Sequence, residues 1–189
     1  MPRQQLCWKL ILILLVLPAV GWTQTPPVVG ELLVEIRLPT PESADRRAYL
    51  GLAPGDSFRP TQVAGKLLII EIFSMYCPHC QREAPAVNRL YQTIQASPGL
   101  RNQIKMIGIG VGNSAFEVDH FRKHYQIAFP LFPDEEFVIH QALGGVRTPF
   151  FIITAVGSTD AGKVLWTGSG TLEPVNIVVD HLNGLLQDR

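Results

Sequence analysis

Cysteine is scarce in this sequence, and neither sign of charge is in excess. Among 189 residues there are three cysteines, and sixteen basic residues balance sixteen acidic ones. The balance excludes a protein that gathers nucleic acid by its electrostatic field. A domain stapled by disulfides is excluded as well, because Cys77 and Cys80 would close too short a loop to stabilise a fold. We therefore expect this pair to serve redox chemistry or metal binding.

Long apolar runs are scarce too, and the one run of note follows a basic leader. Leu10–Val20 comes after Arg3 and Lys9 and is followed by small residues. Its length of about eleven residues falls short of the roughly 20 that span a bilayer. Residues 1–21 are thus predicted to be an export signal, with an uncleaved membrane anchor as the alternative. Cys7 precedes the apolar run, which argues against a lipidated cysteine. We expect a periplasmic or cell-envelope protein.

The rest of the chain alternates strand patterns with helix patterns. Strands are predicted at 28–39, 66–73, 104–111, 149–157 and 163–170, and helices at 78–96, 114–125, 135–143 and from Pro174 onward. Residues 40–66 are predicted to be a loop. This order predicts an α/β fold with a central mixed β-sheet flanked by helices. We divide the chain into the signal at 1–21, an extension with a strand and a loop at 22–63, and the α/β domain at 64–189.

The two cysteines lie where a buried strand meets a helix. Cys77 directly precedes the helix predicted at 78–96, so unpaired N–H groups and the helix dipole favour its thiolate. Such settings lower a cysteine pKa from about 8.5 to roughly 3.5–7.5. Pro78 suits the first helical turn, and His79 adds a further donor or charge. Cys80, one turn on, could attack a mixed disulfide at Cys77.

Two other readings of the sequence are weaker. Structural zinc sites need about four ligands, and no second Cys/His pair has suitable spacing. His120 and His124 lie among charged residues and are expected on a solvated helix face. "GIGVG" at Gly108–Gly112 lacks the third glycine of a dinucleotide-binding fingerprint, so we interpret it as a strand entering its loop. No metal site is predicted.

Several motifs resemble the exported TlpA/ResA-like thiol–disulfide oxidoreductases, which have a thioredoxin-like fold and a redoxin or AhpC/TSA-type domain. The resemblance runs from about Ala64 to the C-terminus. Gly65-Lys66 precedes the first core strand, "CPHCQREAP" carries both cysteines and Pro85, and "LGGVRTP" ends in Thr148-Pro149. The resemblance implies that Thr148-Pro149 is a cis peptide bond beside the cysteines, where a substrate strand can pair.

The resemblance also implies roles for three flanking residues. Tyr76 stands where thioredoxins usually have tryptophan, at the substrate-binding surface. Glu71 falls where thioredoxin and DsbA place a buried acid, and Glu83 where TlpA-like reductases keep a glutamate. Both could relay the proton of Cys80. The alternatives are that Glu71 faces outward from its strand and that Glu83 only decorates the first turns of its helix.

The predicted function is exchange of the Cys77–Cys80 dithiol with protein dithiols and disulfides by a monomer without further cofactor. The resemblance to TlpA-like proteins favours a reductase supplied with electrons by a membrane partner. The Pro78-His79 dipeptide resembles the disulfide oxidase DsbA and favours the opposite direction. Two other classes stay open: a peroxiredoxin-type peroxidase, although the expected threonine before the cysteine is missing, and a non-enzymatic binding module with ordinary thiols.

Overall fold

A computed structural model describes residues 25–188, so the predicted export signal and Cys7 lie outside the described residues. The principal sheet has the order β5-β4-β3-β6-β7. Its strands are β3 (Leu67–Phe73), β4 (Ile104–Val111), β5 (Leu131–Asp134), β6 (Phe150–Ala155) and β7 (Val164–Ser169). The first three run parallel to one another, β6 pairs antiparallel with β3, and β7 pairs antiparallel with β6. The predicted mixed sheet is confirmed.

Between residues 25 and 188, five α-helices accompany this sheet. They are α1 (Ala44–Leu50), α2 (Pro78–Ala96), α3 (Ala115–His124), α4 (Val138–Ala142) and α5 (Val175–Gln187). The central strands β3 and β4 are buried along their whole length, which requires cover on both faces and explains their continuous apolar runs. One core includes residues of α2, α3 and α5, and the other includes residues of α1 and α4. The predicted helices on both sides are therefore present.

The N-terminal extension differs from its prediction. Residues 40–66, predicted as a loop, contain α1, the strand β2 (Ser57–Phe58) and a 3₁₀ turn at Pro60–Gln62. Only Leu50 of α1 is fully buried, so the helix leaves no apolar period in the sequence. Its end is set by Gly51, which has a φ of 68°. A short helix of this kind is defined by its contacts and cap rather than by periodicity.

The strand predicted at 28–39 is also largely wrong. Only β1 (Leu38–Pro39) is a strand, and it pairs with β2. Gly30 has a φ of 94°, which breaks the extended run, and Leu32 makes a single bridge to Lys163. Downstream, Ile36, Leu38, Leu50 and Phe58 join the core on one face of the sheet. These side chains cover the sheet face opposite α2.

The helix predicted at 135–143 is shorter than expected. The Asp134 carboxylate accepts hydrogen bonds from the backbone N–H groups of Ile139 (2.9 Å) and His140 (2.8 Å). These bonds satisfy donors of the first turn and fix the start of α4 at Val138. Over residues 25–188, none of the helices has the length and apolar character to cross a bilayer.

Candidate active site

Cys77 occupies the first position of the strand-to-helix junction. It is the N-cap of α2, with extended backbone angles (φ −85°, ψ 113°), and its Sγ accepts a hydrogen bond from the Cys80 backbone N–H at 3.4 Å. Pro78 follows as the first helical residue, where its missing N–H leaves no donor unsatisfied. The side chain of Cys77 is partly exposed. The structure thus places one accessible sulfur at the positive end of a helix.

Opposing influences act on the Cys77 thiol. Partial burial raises its pKa, and this is the largest single influence. Hydrogen bonds with the side chains of Thr148 and Cys80 and with the backbone N–H groups of Cys80 and His79 together outweigh burial, so the pKa of Cys77 is lowered. The contribution of His79 to the pKa of Cys77 comes from its backbone N–H, and its exposed imidazole lies 2.9 Å from the Arg82 guanidinium.

Cys80 has the opposite environment although it lies one turn away. It is 0% exposed and belongs to the core beneath α2. Burial raises the pKa of its thiol to about 12, and the hydrogen bond and negative charge of Cys77 add to the rise. The pair therefore combines one accessible, acidic thiol with one buried thiol that keeps its proton.

The loop before β6 brings backbone to the exposed sulfur. Thr148-Pro149 is a cis peptide bond, as the sequence motif implied. In the thiol form, Cys77 Sγ donates a hydrogen bond to the Thr148 carbonyl at 3.3 Å, across 71 residues of sequence. His140 Nε2 lies 2.9 Å from the carbonyl oxygen of Val146 and ties this loop to α4. Pro149 itself is buried.

Glu71 lies in the middle of β3 and is buried. It is 3% exposed, between Gly108 of β4 and Phe151 of β6, which excludes the outward-facing alternative. Alternation along the strand places it on the same face as Ile69 and Phe73, whose core also contains Cys80. Burial raises its pKa to about 8, and the nearby charge of Glu83 adds to the effect. Glu71 is therefore mostly protonated at neutral pH.

Glu83 is buried as well, so it does not simply decorate the helix surface. It is 6% exposed, and its Oε1 accepts a hydrogen bond from the Leu172 backbone N–H at 2.9 Å. This bond ties α2 to the segment between β7 and α5. Because Glu83 contributes to the pKa of Glu71, the two carboxyl groups share one electrostatic environment on the inner side of α2.

Tyr76 and three polar residues surround the turn before Cys77. Tyr76 is 63% exposed, and its hydroxyl forms a short hydrogen bond with the Glu117 carboxylate. Asn113 and Gln81 hydrogen-bond the backbone of Met75. Asn113 and Glu117 were not predicted from the sequence, because they reach the site only through folding. Gln81 follows Cys80 directly, but its contact with Met75 is evident only in the folded turn. The one local signal was the pattern Ser114-x-x-Glu117, which marks a helix capping box.

Within the described part of the chain, no group of three or more His, Cys, Asp and Glu side chains is arranged to hold an ion. His120 and His124 are exposed on α3, with ring centroids 6.1 Å apart, on the solvated face that the sequence predicted.

Comparison with known protein families shows which family the chain belongs to. Residues 46–186 match the model of the AhpC/TSA family, and the chain belongs to that family. The match begins upstream of Ala64, where the sequence motifs placed the start of the resemblance. The α/β fold is thioredoxin-like.

The chain is also similar to individual proteins, one in sequence and two in structure. The thiol-disulfide oxidoreductase ResA of Geobacillus thermodenitrificans is 25% identical over 184 residues, which cover 97% of each chain. A putative protein disulfide isomerase from Bacteroides thetaiotaomicron has a TM-score of 0.62 at 16% identity, covering 85% of this chain and 91% of the other. A secreted Mycobacterium tuberculosis disulfide oxidoreductase homologous to E. coli DsbE has a TM-score of 0.55 at 16% identity, covering 80% and 96%. The two structures show that the fold is shared.

Glu71 gives a pH-dependent prediction for stability. Its pKa rises from 4.5 to about 8 on folding, so its contribution is most favourable below pH 4.5 and is lost as the pH rises towards 8. Above pH 4.5, the folded state of the wild type must keep a carboxyl protonated that would ionise in the unfolded chain, and Glu71→Gln removes this cost. We therefore expect the free energy of unfolding of the variant to increase by about 3 kcal/mol relative to wild type as the pH is raised from 5 to 8. Denaturant unfolding at several pH values measures the difference.

Glu42→Gln, at an exposed position, is the matched control and should follow wild type throughout. Parallel pH profiles for wild type and Glu71→Gln would contradict the assignment of a buried, protonated carboxyl to Glu71.

Proposed function

We propose that this protein is a thiol–disulfide oxidoreductase that exchanges the Cys77–Cys80 pair with protein partners, in the reducing direction. The observation that carries the proposal is the contrast between the two sulfurs. One is accessible, has a lowered pKa and lies beside the Thr148 backbone, whereas the other is buried directly behind it. ResA of Geobacillus thermodenitrificans, which is similar over nearly the whole chain, is named a thiol-disulfide oxidoreductase, and this supports the exchange reaction.

The first step uses Cys77 as the nucleophile. Its thiolate attacks one sulfur of a partner disulfide, a new S–S bond forms, and the other partner sulfur leaves as a thiolate that takes up a proton. The lowered pKa places a larger share of Cys77 in the attacking form near neutral pH. The backbone beside Thr148-Pro149 supports the proposal that an extended substrate segment lies there, with exposed Tyr76 at its side.

The second step uses Cys80 to resolve the mixed disulfide. Its thiolate attacks the Cys77 sulfur, the partner leaves with both of its sulfurs reduced, and the Cys77–Cys80 disulfide forms. Cys80 becomes easier to ionise at this stage, because the Cys77 charge that raised its pKa is gone once Cys77 is in a disulfide. Glu71 and Glu83, on the same face of the sheet, are proposed to relay the Cys80 proton, which only an ionised carboxylate can accept. For Glu71, whose pKa is raised to about 8, that form is the minority at neutral pH.

The reducing direction requires a donor that returns two electrons to the Cys77–Cys80 disulfide. We assign this role to a membrane electron-exchange partner. We further propose that residues 1–21 direct export of the protein and that it acts as a monomer. The folded unit is proposed to be residues 64–189 with the extension 22–63 against it. The cysteine pair is the whole redox group in this scheme, with no added cofactor.

A disulfide oxidase is the second candidate, and one observation favours it. Hydrogen bonds that lower the Cys77 pKa stabilise the reduced, ionised form, which makes the disulfide more oxidising. The Pro78-His79 dipeptide supports the same direction through the resemblance to DsbA.

Trapping tests the exchange itself. In Cys80→Ala, the mixed disulfide on Cys77 cannot be resolved, so we expect partner proteins to accumulate as covalent adducts that a reducing agent releases. Non-reducing electrophoresis of the exported fraction measures the adducts. The double variant Cys77→Ala/Cys80→Ala is the control and should trap none. Equal amounts of adduct in both variants, or none in either, would contradict the scheme.

A glutathione titration tests the direction. A reductase should equilibrate near the potential of thioredoxin, about −270 mV, and an oxidase near that of DsbA, about −120 mV. We expect a value below about −200 mV, read from the fraction of Cys77–Cys80 disulfide at each glutathione ratio. A value near that of DsbA would reverse the proposed direction and leave the exchange chemistry intact.

A further inference from the structure

The turn that delivers the chain from β3 to Cys77 is held by side chains from two other parts of the fold. Asn113 Oδ1 accepts a hydrogen bond from the Met75 backbone N–H at 2.8 Å, and Gln81 Nε2 donates one to the Met75 carbonyl, also at 2.8 Å. Asn113 Nδ2 lies 3.5 Å from Ser74 Oγ. Both polar groups of one peptide segment are therefore fixed by amide side chains.

Asn113 is built into the fold for this contact. It is 0% exposed, so its amide must find partners inside the protein. A Cβ on Gly110 would lie 3.2 Å from Asn113 Oδ1 and 2.8 Å from Val118 Cγ2, and Gly112 has a φ of 61°. The glycines of "GIGVG" thus make room and turn the chain so that the asparagine points at the neighbouring loop. This explains a motif that nucleotide binding does not.

The same turn reaches both sulfurs. The Cys77 backbone N–H donates to the Ser74 carbonyl at 3.0 Å, which closes the turn and sets the N-cap position of Cys77. The Ser74 backbone also hydrogen-bonds Cys80, a contact that favours the Cys80 thiolate. Displacement of Ser74 and Met75 would therefore remove the Ser74 contact to the Cys80 thiol and would shift Cys77 relative to the N–H groups of His79 and Cys80 that face its sulfur.

We infer that Asn113 is a positioning residue of the Cys77–Cys80 centre, which it serves by fixing the Ser74–Met75 backbone. The inference rests on the proposed thiol–disulfide exchange. Asn113 touches neither sulfur, so it would act through the turn. If the turn is loosened, water competes for the backbone N–H groups that face the sulfurs, such as those of His79 and Cys80. The thiolates then lose part of the hydrogen bonding that stabilises them.

The test compares Asn113→Ala with Asn88→Ala. Asn88 is the control, because its side-chain amide also hydrogen-bonds the backbone of a distant segment. Its Nδ2 donates to the Tyr125 carbonyl at 2.7 Å, well along α2 from the cysteines. The rate of Cys77 alkylation by iodoacetamide is measured against pH in the reduced proteins, with thermal unfolding recorded in parallel. We expect the alkylation midpoint of Asn113→Ala to rise by about one pH unit, and its rate at pH values well below the wild-type midpoint to fall about tenfold. Asn88→Ala should keep the wild-type midpoint.

A purely structural role for Asn113 predicts a different result. It would lower the unfolding temperature of Asn113→Ala but leave the alkylation midpoint where it is, and that outcome overturns the inference. An equal shift of the midpoint in Asn88→Ala overturns it as well, because the effect would then follow from general destabilisation. Should Asn113→Ala fail to fold, Asn113→Ser is used, whose shorter side chain cannot reach both Ser74 and Met75.

The glutathione equilibrium separates this inference from the proposed function. A wild-type protein that does not equilibrate with glutathione contradicts the proposed function. The alkylation midpoint still tests Asn113 in that case, since it measures ionisation of Cys77 and needs no partner.

Discussion

The start of α2 beside the end of β3 is the constraint on which the site depends. A helix begins with backbone N–H groups that lack partners within the helix, and something must accept their hydrogen bonds. Here the acceptor is the sulfur of Cys77, and Pro78 contributes no competing donor. The buried strand fixes where the helix begins, and the cis peptide before β6 brings a second backbone segment against the same sulfur.

Burial divides two chemically identical thiols into different roles. Both cysteines are partly or wholly removed from water, which by itself raises the pKa of a thiol. Cys77 has enough hydrogen-bond partners to reverse that effect, and Cys80 does not. The same low-polarity interior keeps Glu71 mostly protonated at neutral pH, so two groups that hold their protons, the Cys80 thiol and the Glu71 carboxyl, lie on one face of β3. Buried groups with strongly shifted pKa values lower the stability of a fold, and they are concentrated at active sites.

The sequence was informative where the signal is local. The continuous apolar runs predicted β3 and β4, and the C-x-x-C spacing with its strand-to-helix context predicted the cysteine site. The sequence was uninformative where tertiary contacts determine the local structure or the position of a side chain. The helix α1 has a single fully buried side chain, and its residues show no period that could reveal it. Asn113 lies 38 residues from Met75, and only the pairing of β4 with β3 brings their loops together.

Ionisation of Cys77 is the central claim, and a spectroscopic titration tests it most directly. Thiolate has an ultraviolet absorbance that the thiol lacks, and in Cys80→Ser only Cys77 remains to be titrated within residues 25–188. The account predicts a midpoint below the value of about 8.5 for a free cysteine. A midpoint at or above that value would mean that burial dominates over the helix and its N–H donors, and the account would be contradicted.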